Sequence, residues 1–70
     1  MEQGMTVVLM EKLSSGELNP IDERVWSMNM VAVLEHVNYL VIGSKEYETV
    51  EGRLNLELGR LELLVVPMHN

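Results

Sequence analysis

The chain has no cysteine and no phenylalanine, two prolines, two histidines and five basic residues among its 70 positions. Each shortage excludes something. Without cysteine there is no disulfide staple and no thiolate metal site. His36 and His69 alone cannot build an ordinary structural zinc cluster, so no metal and no cofactor is expected. The basic residues, Lys12, Arg24, Lys45, Arg53 and Arg60, stand apart from one another, and the formal net charge is −6. Phosphate-backbone binding rests on clustered Lys and Arg, so nucleic acid is not an expected ligand. Long apolar runs are missing as well. The longest uncharged stretch, 25–34, falls short of the roughly 20 residues a membrane helix needs. The start, Met1-Glu2-Gln3-Gly4-Met5, has no basic segment ahead of an apolar core. The expectation is a cytoplasmic protein with no membrane partner.

What is present is apolar. Hydrophobic residues make up 47% of the chain. A domain this small buries only about 60% of its unfolded surface. An unstapled chain so rich in apolar residues points to a core completed by another chain, and a homo-oligomer, most simply a homodimer, is expected. Residues 1–70 read as one small domain with frayed tails at 1–5 and 67–70.

The most informative stretch is a tandem repeat. Gly52-Arg53-Leu54-Asn55-Leu56-Glu57-Leu58 is followed at once by Gly59-Arg60-Leu61-Glu62-Leu63-Leu64-Val65. Leucines alternate within each copy, as in a half-buried strand. The offset is seven, an odd number, so a straight strand would turn the two leucine sets to opposite faces. A reversal near Gly59 resolves this. The competing reading is a helical seam of Leu54, Leu58, Leu61 and Val65, with Gly59 in mid-helix at a cost of about 1 kcal/mol.

Upstream, 6–13 reads as a strand, begun by β-branched residues. Asn19, Pro20, Asp22 and Glu23 form a helix-start signal, and the pattern predicts one helix over about 20–36. The alternative is a short helical turn followed by a strand at 26–34. From Tyr39 onward, Gly43-Ser44, Glu51-Gly52 and Gly59-Arg60 each fit a two-residue hairpin turn. The implied strands are 39–42, 45–50, 53–58 and 61–66, with Leu40 opposite Tyr47 and Leu54 opposite Val65. The fold class is therefore α+β: an N-terminal strand, one helix and a four-stranded antiparallel meander at 39–66. An all-β small barrel or roll is the alternative.

Catalysis is not expected. The serines lack a Gly-x-Ser-x-Gly elbow. Glu35 and His36 are adjacent, so their side chains diverge on either a helix or a strand. His69 lies in the expected tail. The meander register instead lines up Glu46, Glu57 and Glu62 on its outer face, where like charges directly opposite one another are unfavourable. Such a row is either a solvated face or a ridge for a basic partner protein. Leu64 and Val66 would lie among these glutamates on an edge strand, 61–66, which needs cover. Trp26 is either the main core filler or a partner-binding anchor. The function expected is a small, acidic, non-catalytic binding or assembly module that pairs with itself. The alternative is an acidic inhibitor occupying the nucleic-acid-binding surface of a basic partner.

Overall fold

The computed structural model describes residues 4–68. Five strands and one short helix follow one another as β1 (Gly4–Lys12), β2 (Leu18–Ser27), α1 (Met28–Val33), a single 3-10 turn (Leu34–His36), β3 (Tyr39–Ile42), β4 (Lys45–Asn55) and β5 (Arg60–Pro67). The strands form one mixed sheet in the order β2-β1-β5-β4-β3, curled into a half-barrel. Only the β1–β5 contact is parallel. The protein is thus mostly β, with one short helix.

The inner face of the sheet carries the core. Val7 and Leu9 of β1, Trp26 of β2, Tyr47 of β4, and Leu63 and Val65 of β5 form one buried cluster. Ile21, Val31, Leu34, Leu40, Ile42 and Leu61 pack around it. The alternation that places them follows from the two-residue period of a strand. β1 and β5 are buried on both faces because both are central: Val8, Met10, Glu62 and Leu64 fill the outer side. Their rows run Glu23–Val8–Glu62–Arg53 and Pro20–Met10–Leu64–Glu51 across four strands.

The helix expected over 20–36 is largely replaced by strand. β2 runs through Pro20, Asp22 and Glu23 to Ser27, antiparallel to β1. A proline and a run of charges suit a sheet edge as well as a helix start, and β1 supplied the partner that decided between them. The helix begins only after Ser27, whose Oγ accepts the N–H of Met30 at 3.2 Å. Neither the long helix nor a strand over 26–34 is present.

The β3–β4 hairpin matches the sequence register, with Ile42 opposite Lys45 and Leu40 opposite Tyr47. Gly43 takes the left-handed φ of +61° that leads such a turn. The other two expected turns are displaced. Glu51 and Gly52 lie inside β4, which passes straight through with a bulge at Val50. The last reversal spans Leu56 to Gly59, so Asn55 pairs with Arg60 and Leu54 with Leu61, not with Val65. The four-stranded meander is therefore three strands, and the third, β5, lies between β4 and β1. That corrects the edge reading of 61–66: positions 61–65 are paired on both sides, and Leu64 is buried while Val66 is half-buried. Three residues expected in the tails lie in strands. Gly4 and Met5 pair with Ser27 and Trp26, and Pro67 pairs with Tyr47. His69 lies outside the described residues.

Candidate functional site

The half-barrel leaves two strands with one free side each, β2 and β3. Between them runs an apolar trough in two connected parts. One, of about 160 Å³, is lined by residues that include Leu9, Asp22, Arg24, Trp26, Leu40 and Ile42. The other, of about 260 Å³, is lined by Met30, Val33, Val37 and Tyr39, among others. Trp26, Met30, Leu40 and Val41 belong to both. A broader open depression of about 810 Å³ lies against the β1 and β5 ends, lined by Glu11, Lys12 and Met68 among others. Leu13, Val66, Pro67 and Met68 give it an apolar floor, and Glu11, Lys12 and Glu48 put three charges on its rim.

The trough follows from local structure. Alternation sends Leu40 and Ile42 inward and Tyr39 and Val41 outward from β3. The helix lays Met30 and Val33 beside them, and both remain about half exposed, like Tyr39; Val41 is 69% exposed. On the β2 wall, Arg24 grips Asp22 through two hydrogen bonds, Nε to Oδ2 at 2.8 Å and Nη2 to Oδ1 at 2.9 Å. Asp22 raises the Arg24 guanidinium further above its ordinary range, chiefly through that hydrogen bonding. The pair neutralises Asp22 within the strand and leaves Glu23 as the net charge of β2. Trp26 is buried, and its indole Nε1–H has no hydrogen-bond acceptor. It is foremost a core residue, and its ring also forms trough wall.

The hairpin edge can be read at the level of single backbone groups. Thr49 N–H donates to the Asn38 carbonyl at 2.9 Å, which marks Asn38–Thr49 as a hydrogen-bonded pair. Bonded and non-bonded pairs alternate along an antiparallel ladder. Leu40–Tyr47 and Ile42–Lys45 are then the other bonded pairs. The N–H and C=O of Tyr39 and Val41 turn away from β4, toward the open side.

The acidic row does not form. Glu62 is buried, with a side chain only 1% exposed. It accepts Arg53 Nε at 2.6 Å on Oε1, and Arg60 Nε at 2.8 Å and Asn55 Nδ2 at 3.1 Å on Oε2. The Arg60 and Arg53 hydrogen bonds, in that order, hold its carboxyl down at about 2 against an ordinary 4.5. Both arginines come from the Gly-Arg repeat, so the repeat is a clamp on one carboxylate. Glu46 sits opposite Val41, Glu57 lies in the Leu56–Gly59 turn, and both are exposed. These glutamates are not opposite one another because the turns fall elsewhere than 51–52 and 59–60. Of the six expected partner-binding residues, only Trp26 lines the trough. Met30, Val33, Tyr39 and Val41 were not among them; the signal for Tyr39 and Val41 was the uncharged run Tyr39-Leu40-Val41-Ile42 beside a turn, and Met30 and Val33 join them only through the helix.

Among the described residues, no three His, Asp or Glu side chains converge to hold a metal ion, and no helix is long and apolar enough to cross a membrane. No family model matches the chain, and no curated protein and no solved structure matches it significantly.

Proposed function

We propose that this protein is a small, acidic, non-catalytic assembly module that works as a homo-oligomer. The observation that carries this reading is the apolar strip of Met30, Val33, Tyr39 and Val41 beside an uncharged sheet edge. The exposed parts of those four residues come to roughly 400 Å², within the roughly 300–600 Å² of the largest apolar patch on an ordinary monomer, a patch that is often functional. Sedimentation velocity over a concentration series tests it. The expected result is reversible association in the micromolar range, strengthened by salt, because two copies of net charge −6 repel one another. A monomer at high micromolar concentration in every salt would refute it.

The second reading is an acidic inhibitor that occupies a basic, nucleic-acid-binding surface of another protein. Four exposed glutamates favour it: Glu46, Glu48 and Glu51 on β4, and Glu57 in the turn. The two readings differ in the sign of the salt effect. Attraction between an acidic face and a basic partner is screened, so that complex weakens as salt rises.

A further inference from the structure

Resting on the assembly reading above, we infer that the occupant of the open β3 edge is the β3 strand of a second copy, paired antiparallel across a two-fold axis with Leu40 at the axis. Three observations lead there.

The first is the chemistry of the edge. β3 is short, which limits pairing, but it carries no charge, no proline and no bulge, the other usual devices that keep an edge strand unpaired. A partner strand of one charge sign would find nothing complementary in Tyr39-Leu40-Val41-Ile42. A second copy meets its own apolar side chains.

The second is register. In a two-fold antiparallel pair, a residue on one face of the sheet meets only residues of that same face. Two central registers satisfy this within or next to the strand. With Leu40 on the axis, Tyr39 meets Val41 of the second copy, and Val41 meets Tyr39. With Val41 on the axis, Tyr39 would have to meet Gly43, which turns out of the strand at a φ of +61°. The Leu40 register uses strand residues alone. It also pairs the residues whose backbone groups point to the open side, Tyr39 and Val41, and leaves Leu40 as the non-bonded pair. Four backbone hydrogen bonds form, two from each copy.

The third is area. The apolar strip offers roughly 400 Å² per copy, and the two edge backbones add to a total of about 800 Å², which falls below the roughly 1,200 Å² of stable specific interfaces and in the range of weak, transient ones. Tyr39 and Val41 stack crosswise on the outer face as aromatic–β-branched pairs, a favourable cross-strand combination. On the inner face, Leu40 meets Leu40, close to Met30 and Val33 of both copies.

The test is sedimentation of three single variants beside the unaltered chain. Val41→Pro removes an outward N–H that bonds nothing within the chain, and Val41→Lys places a charge on the edge. Val41 is exposed, and circular dichroism with a melting curve checks that each variant folds. Glu23→Lys makes a comparable change on β2. The expected result is monomer at high micromolar concentration for both Val41 variants and unchanged dimer for Glu23→Lys. Leu40→Cys, in a chain with no other cysteine, should give a reducible cross-linked dimer on oxidation, as a non-bonded antiparallel pair brings its Cβ atoms within about 5 Å. Dimers that persist in both Val41 variants would overturn the edge assignment and leave the assembly reading standing. An unaltered chain that stays monomeric would overturn both.

Discussion

The two free edges of the sheet, β2 and β3, differ in every property that governs strand pairing. β2 has ten residues, begins beside Pro20, and carries Asp22, Glu23 and Arg24. β3 has four residues and no charge. A proline withholds a backbone donor, and a charge buried between two strands must lose its water; either makes edge pairing costly. β2 has both and β3 has neither. The contrast teaches that openness of an edge and availability of an edge are separate properties. The half-barrel leaves both strands open and leaves only one receptive. A chain with a single receptive edge stops growing at two copies, because a two-fold contact consumes it.

The most drastic way to break this contrast is to remove the protection from β2. Replacing Pro20 and Glu23 together by valine gives the chain two receptive edges. The expected outcome is growth from a finite dimer to large particles, followed by light scattering against concentration. If the double variant keeps the mass of the unaltered chain, the protection of β2 lies elsewhere.

Trp26 sits at the end of β2 and walls the trough beside β3, so it joins the two edges through the core. Trp26→Ala should lose about 3–5 kcal/mol in urea unfolding, as large buried aromatics do. Trp26→Phe keeps most of the apolar contact and removes an indole N–H that has no acceptor. Deleting an unsatisfied buried donor recovers part of its desolvation cost, so this variant should unfold close to the unaltered chain.

The β4–β5 seam, away from both edges, provides the internal reference. Glu62 has a folded value of about 2, below its ordinary 4.5. A lowered carboxylate contributes stability that is fully present above the unfolded value and lost as pH falls through the folded one. Glu62→Gln should therefore melt below the unaltered chain at neutral pH, and the gap should close between about 4.5 and about 2. Its mass should not change, since neither edge is touched. A gap that stays constant on acidification would remove the clamp from the account.

The smallest effect is expected at the apolar tip of the last turn. Leu56 is 82% exposed, so Leu56→Ser should move unfolding by no more than about 0.5 kcal/mol. It should leave association intact. Loss of the dimer in this variant would shift the interface from β3 to the turn.

The β3–β4 hairpin and β1 were legible in the chain itself, and the contrast between the two edges was not. The β3–β4 register followed from Gly43-Ser44 and the alternation around it, because a two-residue turn leaves only one way to pair its flanks. β1 was visible in its β-branched start. The segment at 20–27 misled because Asn-Pro-x-Asp-Glu serves either to cap a helix or to protect an edge. Which of these applies depends on whether a strand lies alongside, and that is long-range information. Glu51-Gly52 misled because a glycine in a strand looks like a glycine in a turn until its φ is known. Those errors compounded into the expected row of Glu46, Glu57 and Glu62. The clamp was hidden for the same reason: Arg53 and Arg60 meet Glu62 only once the four-residue turn sets their register. Of the candidate site, Trp26 stood out by type. Tyr39 and Val41 did not, because exposure and the direction of a backbone group arise only after the sheet order is fixed.

Amide hydrogen exchange resolved by residue, at concentrations below and above the association midpoint, tests the edge pairing most directly. Leu40 and Ile42 bond to β4 within one copy and should be protected at both concentrations. Tyr39 and Val41 should exchange freely when dilute and become protected when concentrated, with the amides of β2 unchanged. Equal, rapid exchange of Tyr39 and Val41 at both concentrations, or protection that appears on β2 instead, would contradict it.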